Sequence, residues 1–464
     1  MVKVDVIIIG SGLTGLVTAR RLQAAGFVVA VLEAQNAVGG RIRAASEEAA
    51  SDTEVLEQGV QWIHPEHQRM RALIQELGRT TCPVALEGVS TVSVAKRTRN
   101  TRGLLSYWGA FPHEVTDAHL ALRILNRRAE FVHLQEPWKS VDAHKFDGES
   151  FGDWITRNTR TRWSRDFLRV LFEVALGADV DTVSALHVIF LVASAGSAER
   201  FLDAILGHKR EVVDCGMPAL VDDLAWEMRE RVLLNERVVL IENSAHDVGV
   251  RTERSRYRAK RVVVALPPAA WGTIVFDPAL PEDWDVVGNG SVEGASWRCV
   301  VRYEVPFWRR AGHSGEVVSS QGALSFVTDG SSPDGAAGVL VAVAAGPRAH
   351  ALRKLSDEER RARVLQELQG FFGDEALHPL SFVEEDWTGG ERSSGGHASL
   401  MAAHAWRRHG EALRTRWGRV HFASAETASS WAGFLEGAVC SAEEVSSLIA
   451  SIETPAGTVV SFDE

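Results

Sequence analysis

The densest chemical signal in the chain is Gly10-Ser11-Gly12-Leu13-Thr14-Gly15, with Glu33 lying 23 residues after Gly10. A Gly-x-Gly-x-x-Gly turn alone is weak in a chain with 40 glycines, but here the spacing supports a definite chemistry. Gly10 permits a tight turn, Gly12 lets the backbone approach a pyrophosphate, and Gly15 lets a following helix press against the preceding strand. The start of such a helix offers unpaired N–H groups and a positive dipole end to phosphate. Glu33 would accept hydrogen bonds from ribose hydroxyls and repel a 2′-phosphate, which favours FAD or NAD over NADP. Gly39-Gly40-Arg41 comes six residues after Glu33. A nicotinamide-only site has no need of it, whereas along an FAD diphosphate its Arg supplies charge.

The elements that must hold these residues are readable around them. Residues 4–9 form a near-continuous apolar, β-branched run, as expected of a strand buried on both faces. Residues 16–25 predict a helix with Gly26 as its stop, and 27–32 a second strand ending at Glu33. This is one β-α-β unit, which implies a parallel sheet. Helical patterns then dominate to about residue 205, including 119–134, 163–176 and 185–195. Strand texture returns at 238–241 and 261–266. Segments 298–305, 315–328 and 339–345 predict a second sheet. Ser356 with Glu359 forms a capping-box pattern at the head of a helix over 356–370. A short strand at 420–423 and a closing helix at 435–452 complete the chain. Nucleotide-binding texture at both ends and in the middle predicts discontinuous domains.

Composition narrows the partners. At 464 residues with 45% hydrophobic content, the chain can bury more than one core. Acidic residues outnumber basic ones, 61 to 50, for a formal charge of −11. That balance disfavours nucleic acid or an anionic membrane as partner. The Arg-rich stretch 251–261 reads as a solvated hairpin. The apolar start is far too short to span a bilayer, and no signal peptide is expected. Four cysteines without C-x-x-C pairing are expected to be free thiols in a reducing, cytoplasmic setting. Neither they nor the histidines, His64 and His187 included, have metal-ligand spacing, so no metal is expected.

Taken in order, these motifs resemble the flavin-containing amine oxidase family, which includes monoamine, polyamine and putrescine oxidases. The resemblance spans nearly the whole chain. Beyond 9–15, Glu33 and Gly39-Gly40-Arg41, it rests on Leu56-Glu57-Gln58-Gly59-Val60-Gln61-Trp62, Gly216-Met217-Pro218-Ala219-Leu220, residues 263–268 and Pro306-Phe307-Trp308. It closes with 422–427 and Trp431-Ala432-Gly433-Phe434-Leu435-Glu436-Gly437-Ala438, while 192–197 resembles putrescine-oxidase-like bacterial members. The resemblance implies an α/β fold: a two-dinucleotide-binding, Rossmann-like FAD domain with a mixed α+β substrate domain. The FAD domain would be built from 1–85, 206–290 and 391–464, and the substrate domain from 86–205 and 291–390. Val238 would flank the adenine, and Glu426 would bind the ribityl–diphosphate region. The helix from Leu435 would aim its amides at the flavin. Gly59, Gln61 and Trp62 would run beside the ring, with Trp387 also placed among the FAD-binding residues.

Three departures from the family pattern bear on chemistry. Where the family commonly places a Lys holding a water at the flavin, the matching residue is Arg298. An Arg cannot act as a base near neutral pH, but could hold water, bind a substrate carboxylate or carbonyl, polarise an amide oxygen, or simply sit on a surface strand. The monoamine-oxidase cysteine that attaches FAD is replaced by His397 after Ser394-Gly395-Gly396, which excludes a thioether there. Non-covalent FAD with His397 near the ring is expected, with a histidyl–flavin bond as the alternative. The aromatic cage positions are Ala398 and Phe434, so half the cage is missing and room is left for a larger substrate. Glu57 could bind an ammonium, act as a base, or pair with an Arg in the fold.

The expected reaction removes a hydride from the carbon next to nitrogen in an amine or amide. It gives an imine or iminium and, with O2, hydrogen peroxide, the cofactor carrying the electron chemistry. The departures favour a larger, specialised biosynthetic substrate, as in cyclising oxidases of antibiotic pathways. A catabolic small-amine or diamine oxidase is the alternative, and a non-catalytic FAD scaffold the rival from another class. The helix-rich substrate domain could carry a homodimer interface.

Overall fold

The computed structural model describes residues 2–44, 57–103, 111–284, 290–292, 294–332, 335, 337–387 and 398–454. His397 and the Ser394-Gly395-Gly396 before it lie outside the described residues.

Two sheets and a block of helices organise the chain, a mixed α/β architecture. The first sheet has eight strands. Val2–Ile9 lies parallel between Val29–Leu32 and Arg256–Val264. Residues Val4–Ile9 are buried, which explains why that run is apolar without alternation. Val232–Leu233 extends the sheet in parallel beyond Val29–Leu32, and Val420–Phe422 pairs in parallel with the end of Arg256–Val264. On the other side Val238–Asn243, Val248–Thr252 and the start of Arg256–Val264 form an antiparallel meander. The Arg-rich stretch is the hairpin within it, with Arg251, Arg254, Arg256 and Arg258 exposed.

The second sheet has seven strands in the order Ser381–Asp386, Ser296–Tyr303, Gly338–Ala345, Phe326–Asp329, His313–Ser319, Val89–Val94 and Arg97–Thr101. Its pairings are antiparallel except for the parallel match of His313–Ser319 with Val89–Val94. The single strand predicted over 315–328 is two strands, because the chain reverses where Gly322 takes φ +72°. The helix predicted at 119 begins at Pro112 and ends at Ala129. Pro112 supplies a preset φ at the first helical position, and the Glu114 carboxylate accepts from Phe111 N–H at 3.0 Å. Ser356 caps Asp357–Phe372 through the reciprocal Ser356–Glu359 pair.

Helices Arg162–Leu176, Ala185–Ala195 and Ala198–Leu206 pack with Pro112–Ala129 into a largely apolar block. The closing helix Leu435–Ile452 lies against Leu13–Ala24. Among the described residues no helix is long and apolar enough to cross a membrane.

Candidate active site

A cavity of about 770 Å³ runs from the Gly-rich turn, past the second sheet, to the helical block. That is within the range of about 300–1,000 Å³ common for ligand clefts.

At one end the geometry is that of a phosphate cradle. Gly10 has φ +100°, and a Cβ there would lie 2.8 Å from Leu266 Cδ2 and 2.9 Å from Ala265 O. A Cβ on Gly15 would lie 2.0 Å from Gly10 O, so helix Leu13–Ala24 can seat on the turn only with a glycine there. Gly12 differs: a Cβ would meet nothing nearer than Gly39 O at 4.0 Å, leaving its backbone open to the cavity. No side chain caps this helix, whose first amides are therefore available. Glu33, at the tip of Val29–Leu32, accepts from Ser11 N–H and Ser11 Oγ–H at 2.8 Å and from Gln35 N–H at 2.9 Å.

Further along, Gly40 takes φ +60° and lies on the cavity wall beside Arg41. Arg41 makes a bidentate pair with Glu426, at 2.6 and 3.2 Å, and Glu426 also accepts from Ser399 N–H at 3.2 Å. Burial pushes the Glu426 carboxyl up, but Arg41 outweighs it and holds the group below the usual carboxylate range. Val238, Glu236, Arg237 and Trp387 also line the cavity. Leu435 opens the closing helix, whose N-cap residue Phe434 makes no side-chain capping bond, so a second free helix N-terminus lies at the cavity. Its Glu436 carboxylate instead accepts from Arg69 N–H at 3.1 Å and Met70 N–H at 2.9 Å, tying two helix starts together.

An open glycine, two uncapped helix starts and an acid at a strand tip fit a dinucleotide with a diphosphate and an electron-rich ring. The same donor set would hold FAD by Gly12, Arg41 and the Leu13 helix at its phosphates. Glu33 would face the ribose, and the Leu435 helix the flavin.

The other end is built around 59–62. A Cβ on Gly59 would lie 2.2 Å from Arg41 O, so this loop runs against the 41–43 segment. Gly59, Gln61 and Trp62 line the cavity. Arg298, on Ser296–Tyr303, is buried and lines it too. Its guanidinium donates to Gly59 O at 2.6 Å, to Glu57 O at 3.0 Å and to Gln61 Oε1. Burial pushes its pKa down to about 10, opposed by Glu57, so it stays charged at neutral pH. Both Arg298 and the buried Arg210, which is ion-paired to Glu316, lie within 6 Å of the Trp62 ring, at 5.6 and 4.8 Å from its centroid. Arg298 Nη1 and Nη2 are thus taken up by the 57–61 loop, while Nε has no hydrogen-bond partner among the described residues.

Glu57 is likewise taken up within the fold. Its carboxylate does not line the cavity but accepts from Met217 N–H at 2.6 Å, at the start of helix Met217–Glu227. Burial pushes its pKa up to about 7, with the Met217 amide and Arg298 opposing. Gly15 likewise works behind the wall. Phe434 stands on the wall, edge-on to Phe201 at 5.6 Å and Trp431 at 5.4 Å, and Ala398 lines it nearby.

Sequence reasoning missed Val174, Leu176, His187, Leu191, Phe201, Ile205, Phe326 and Val343, which finish this end. His187 and Leu191 are one turn apart on Ala185–Ala195, a spacing equally compatible with core. The Arg210–Glu316 pair left no local signal, since its partners are 106 residues apart.

The family model for flavin-containing amine oxidoreductases matches residues 13–450. A putrescine oxidase of Kocuria rosea is 30% identical, over 94% of this chain and 92% of its own. An L-amino acid dehydrogenase of Synechocystis sp. is also 30% identical, over 96% and 94%. The structure of a putrescine oxidase bound to putrescine superposes with TM-score 0.90 at 28% identity, covering 97% of this chain and 99% of that one. The cyclohexylamine oxidase from Brevibacterium oxydans superposes with TM-score 0.91 at 27% identity, over 97% and 99%.

Proposed function

Because the chain belongs to the family of flavin-containing amine oxidoreductases, we propose that it oxidises an amine whose body is bulky and apolar. It is an FAD-dependent enzyme acting on carbon–nitrogen bonds. Held by Gly12, Arg41, Glu33 and the two helix starts, FAD would supply the acceptor for a hydride lost from the carbon next to nitrogen, which would leave the substrate as an imine, with O2 as the final oxidant reduced to hydrogen peroxide.

The observation that carries the substrate reading is the lining beyond Trp62. Among the described residues, Val174, Leu176, Leu191, Phe201, Ile205 and Phe434 are apolar, and the acidic wall residues Glu33, Asp222, Glu236 and Glu426 belong to the nucleotide end. A diamine would bring a second ammonium, which needs a carboxylate to offset its desolvation. Ala398 leaves space where an aromatic cage ring would narrow the passage. An apolar wall also favours the neutral amine, the form with a lone pair to push the hydride out. Phe434 and Trp62 would orient the substrate, and the apolar lining would help to exclude water.

The division into a cofactor unit (1–85, 206–290, 391–464) and a substrate unit (86–205, 291–390) is part of this proposal. It is supported by strand origin: the first sheet draws on residues 2–32, 232–277 and 420–422, the second on 89–101 and 296–386. FAD is proposed to be held without a covalent bond.

The test is an anaerobic stopped-flow screen of the yellow holoenzyme with cyclic and aryl-alkyl monoamines, diamines, and amino acids. Fast bleaching by the bulky monoamines supports the reading. Fast bleaching by putrescine alone would replace it with the diamine reading, and by amino acids alone with an amino-acid oxidase. Precipitation with acid should release all the FAD from the protein.

A further inference from the structure

Two rings of the substrate end, Trp62 and Phe326, meet edge to face, with centroids 6.0 Å apart and planes at 79°. Both line the cavity, yet Trp62 comes from the 59–62 loop and Phe326 from a strand of the second sheet. Such a ring pair adds only modestly to the burial of its members. A third side chain, behind the wall, joins them.

Arg210 is fully buried and does not line the cavity. Its guanidinium carbon lies 4.8 Å from the Trp62 centroid and 5.5 Å from that of Phe326, within reach of a cation–π attraction to both. The guanidinium is itself held at three points. Nε donates to Gly207 O at 2.8 Å, and Nη2 donates to Glu316 Oε1 at 2.7 Å and to Thr328 Oγ at 3.1 Å. Thr328 is two residues from Phe326 on Phe326–Asp329, so the hydroxyl and the ring share one face of that strand. Glu316 in turn accepts from Ser90 Oγ–H at 2.8 Å. On the Trp62 side the backbone completes the join, because Ile63 and Glu211 exchange both N–H···O bonds, at 2.9 and 2.8 Å. Arg210 and its chain neighbour thereby fasten the loop that carries one ring to the sheet that carries the other.

A fully buried ion pair is a costly way to hold a fold together. Exchanging both partners for neutral groups is often harmless to stability, whereas removing one alone is strongly destabilising. An apolar filling would occupy the same space but would not orient two rings. Two planes near a right angle can both touch one compact cyclic body, whereas an extended chain follows only one of them.

We propose that Arg210 is a positioning residue for substrate shape, acting through Trp62 and Phe326, which it holds at the angle that suits a compact cyclic body. The assignment rests on the reading of this end of the cavity as the substrate's. It deepens that reading by naming what sets the shape of the apolar body.

The experiment measures binding rather than turnover, so its result stands whether or not any amine is oxidised. Holoenzyme is titrated with cyclohexanone and cyclooctanone, and with 2-hexanone and 2-octanone, which match them in carbon number and carbonyl. Binding is followed by perturbation of the bound cofactor's visible spectrum. Wild type should bind each cyclic ketone about 10-fold more tightly than its linear match. Arg210→Met alone would strand Glu316, so the pair is removed together with Glu316→Gln, whose amide oxygen still accepts from Ser90. That double variant should keep the urea midpoint and FAD content of wild type, yet bind cyclic and linear ketones within about 2-fold of each other. Arg210→Lys, which keeps a cation for both rings without the planar fork, should recover part of the preference. No cyclic preference in wild type overturns the proposal, as does a preference that survives in the double variant. A double variant that loses stability or FAD along with the preference also overturns it, since the pair then serves the fold at large. Should the preference appear and vanish as expected while no amine bleaches the flavin, the substrate reading fails and the role of Arg210 stands.

Discussion

Replacing Arg298 with Met separates two roles for a buried cation. The guanidinium satisfies Gly59 O, Glu57 O and Gln61 Oε1, three acceptors on one loop. Each acceptor stranded in a buried place costs about 1–3 kcal/mol. The desolvation of the cation is recovered at the same time, which offsets part of that loss. A net destabilisation of about 4 kcal/mol is therefore expected. Because the same loop carries Trp62 along the cavity, the holoenzyme should also lose FAD on gel filtration. Arg298→Lys keeps a charge but not the planar fork, and should recover less than half of the stability. The assay is urea unfolding of apo and holo forms by tryptophan fluorescence, with FAD counted by absorbance. The reasoning is refuted if Arg298→Met unfolds within about 1 kcal/mol of wild type and keeps its FAD. A rise confined to KM for carboxylate-bearing amines would then return Arg298 to the role of substrate clamp.

Three other outcomes are expected. Gly12→Ala should leave apoprotein stability within about 1 kcal/mol of wild type yet weaken FAD binding at least ~10-fold, because its Cβ meets only open cavity. Gly15→Ala should lose both, since the new Cβ lies 2.0 Å from Gly10 O, and equal behaviour of the two variants in calorimetry and FAD titration would contradict this contrast. Glu57, with a folded pKa raised to about 7 from an ordinary 4.5, contributes stability that is full below about pH 4.5 and is lost as pH rises through 7. Glu57→Gln, whose amide oxygen still accepts from Met217, should flatten the fall in urea midpoint between pH 5 and pH 8, and parallel pH profiles for the two proteins would sink the assignment. Ala398→Phe should cut kcat/KM for cyclic amines by ~10-fold while sparing short linear ones, and uniform effects across an amine panel would show that Ala398 does not set the width.

Much of the nucleotide end was legible in the sequence because its determinants are local. A βαβ unit with glycines at 10, 12 and 15, an acid 23 residues on and a Gly-Gly-Arg is a pattern of neighbours, and turn, cap and dipole all act within one or two helical turns. The closing helix at Leu435 announced itself by its uninterrupted period, and its observed bounds are Leu435–Ile452. The strand break at Gly322 was missed because two short apolar runs around a turn look, by composition alone, like one strand.

The substrate end depended on contacts that no local pattern encodes. The sequence placed Arg298 and Glu57 in motifs, but their directions followed from partners far away. Arg298 turns to a loop some 240 residues earlier in the chain, its bond to Glu57 O spanning 241, and Glu57 turns to an amide 160 residues later. His187 looks like any histidine on an apolar helix, and its bond from Trp406 spans 219 residues. Residue types and spacing determined which chemistry the chain could support. Which polar atoms were consumed by the fold, and which remained for a ligand, was decided only by long-range packing, because a hydrogen-bond donor is spent or free according to what lies within about 3 Å of it.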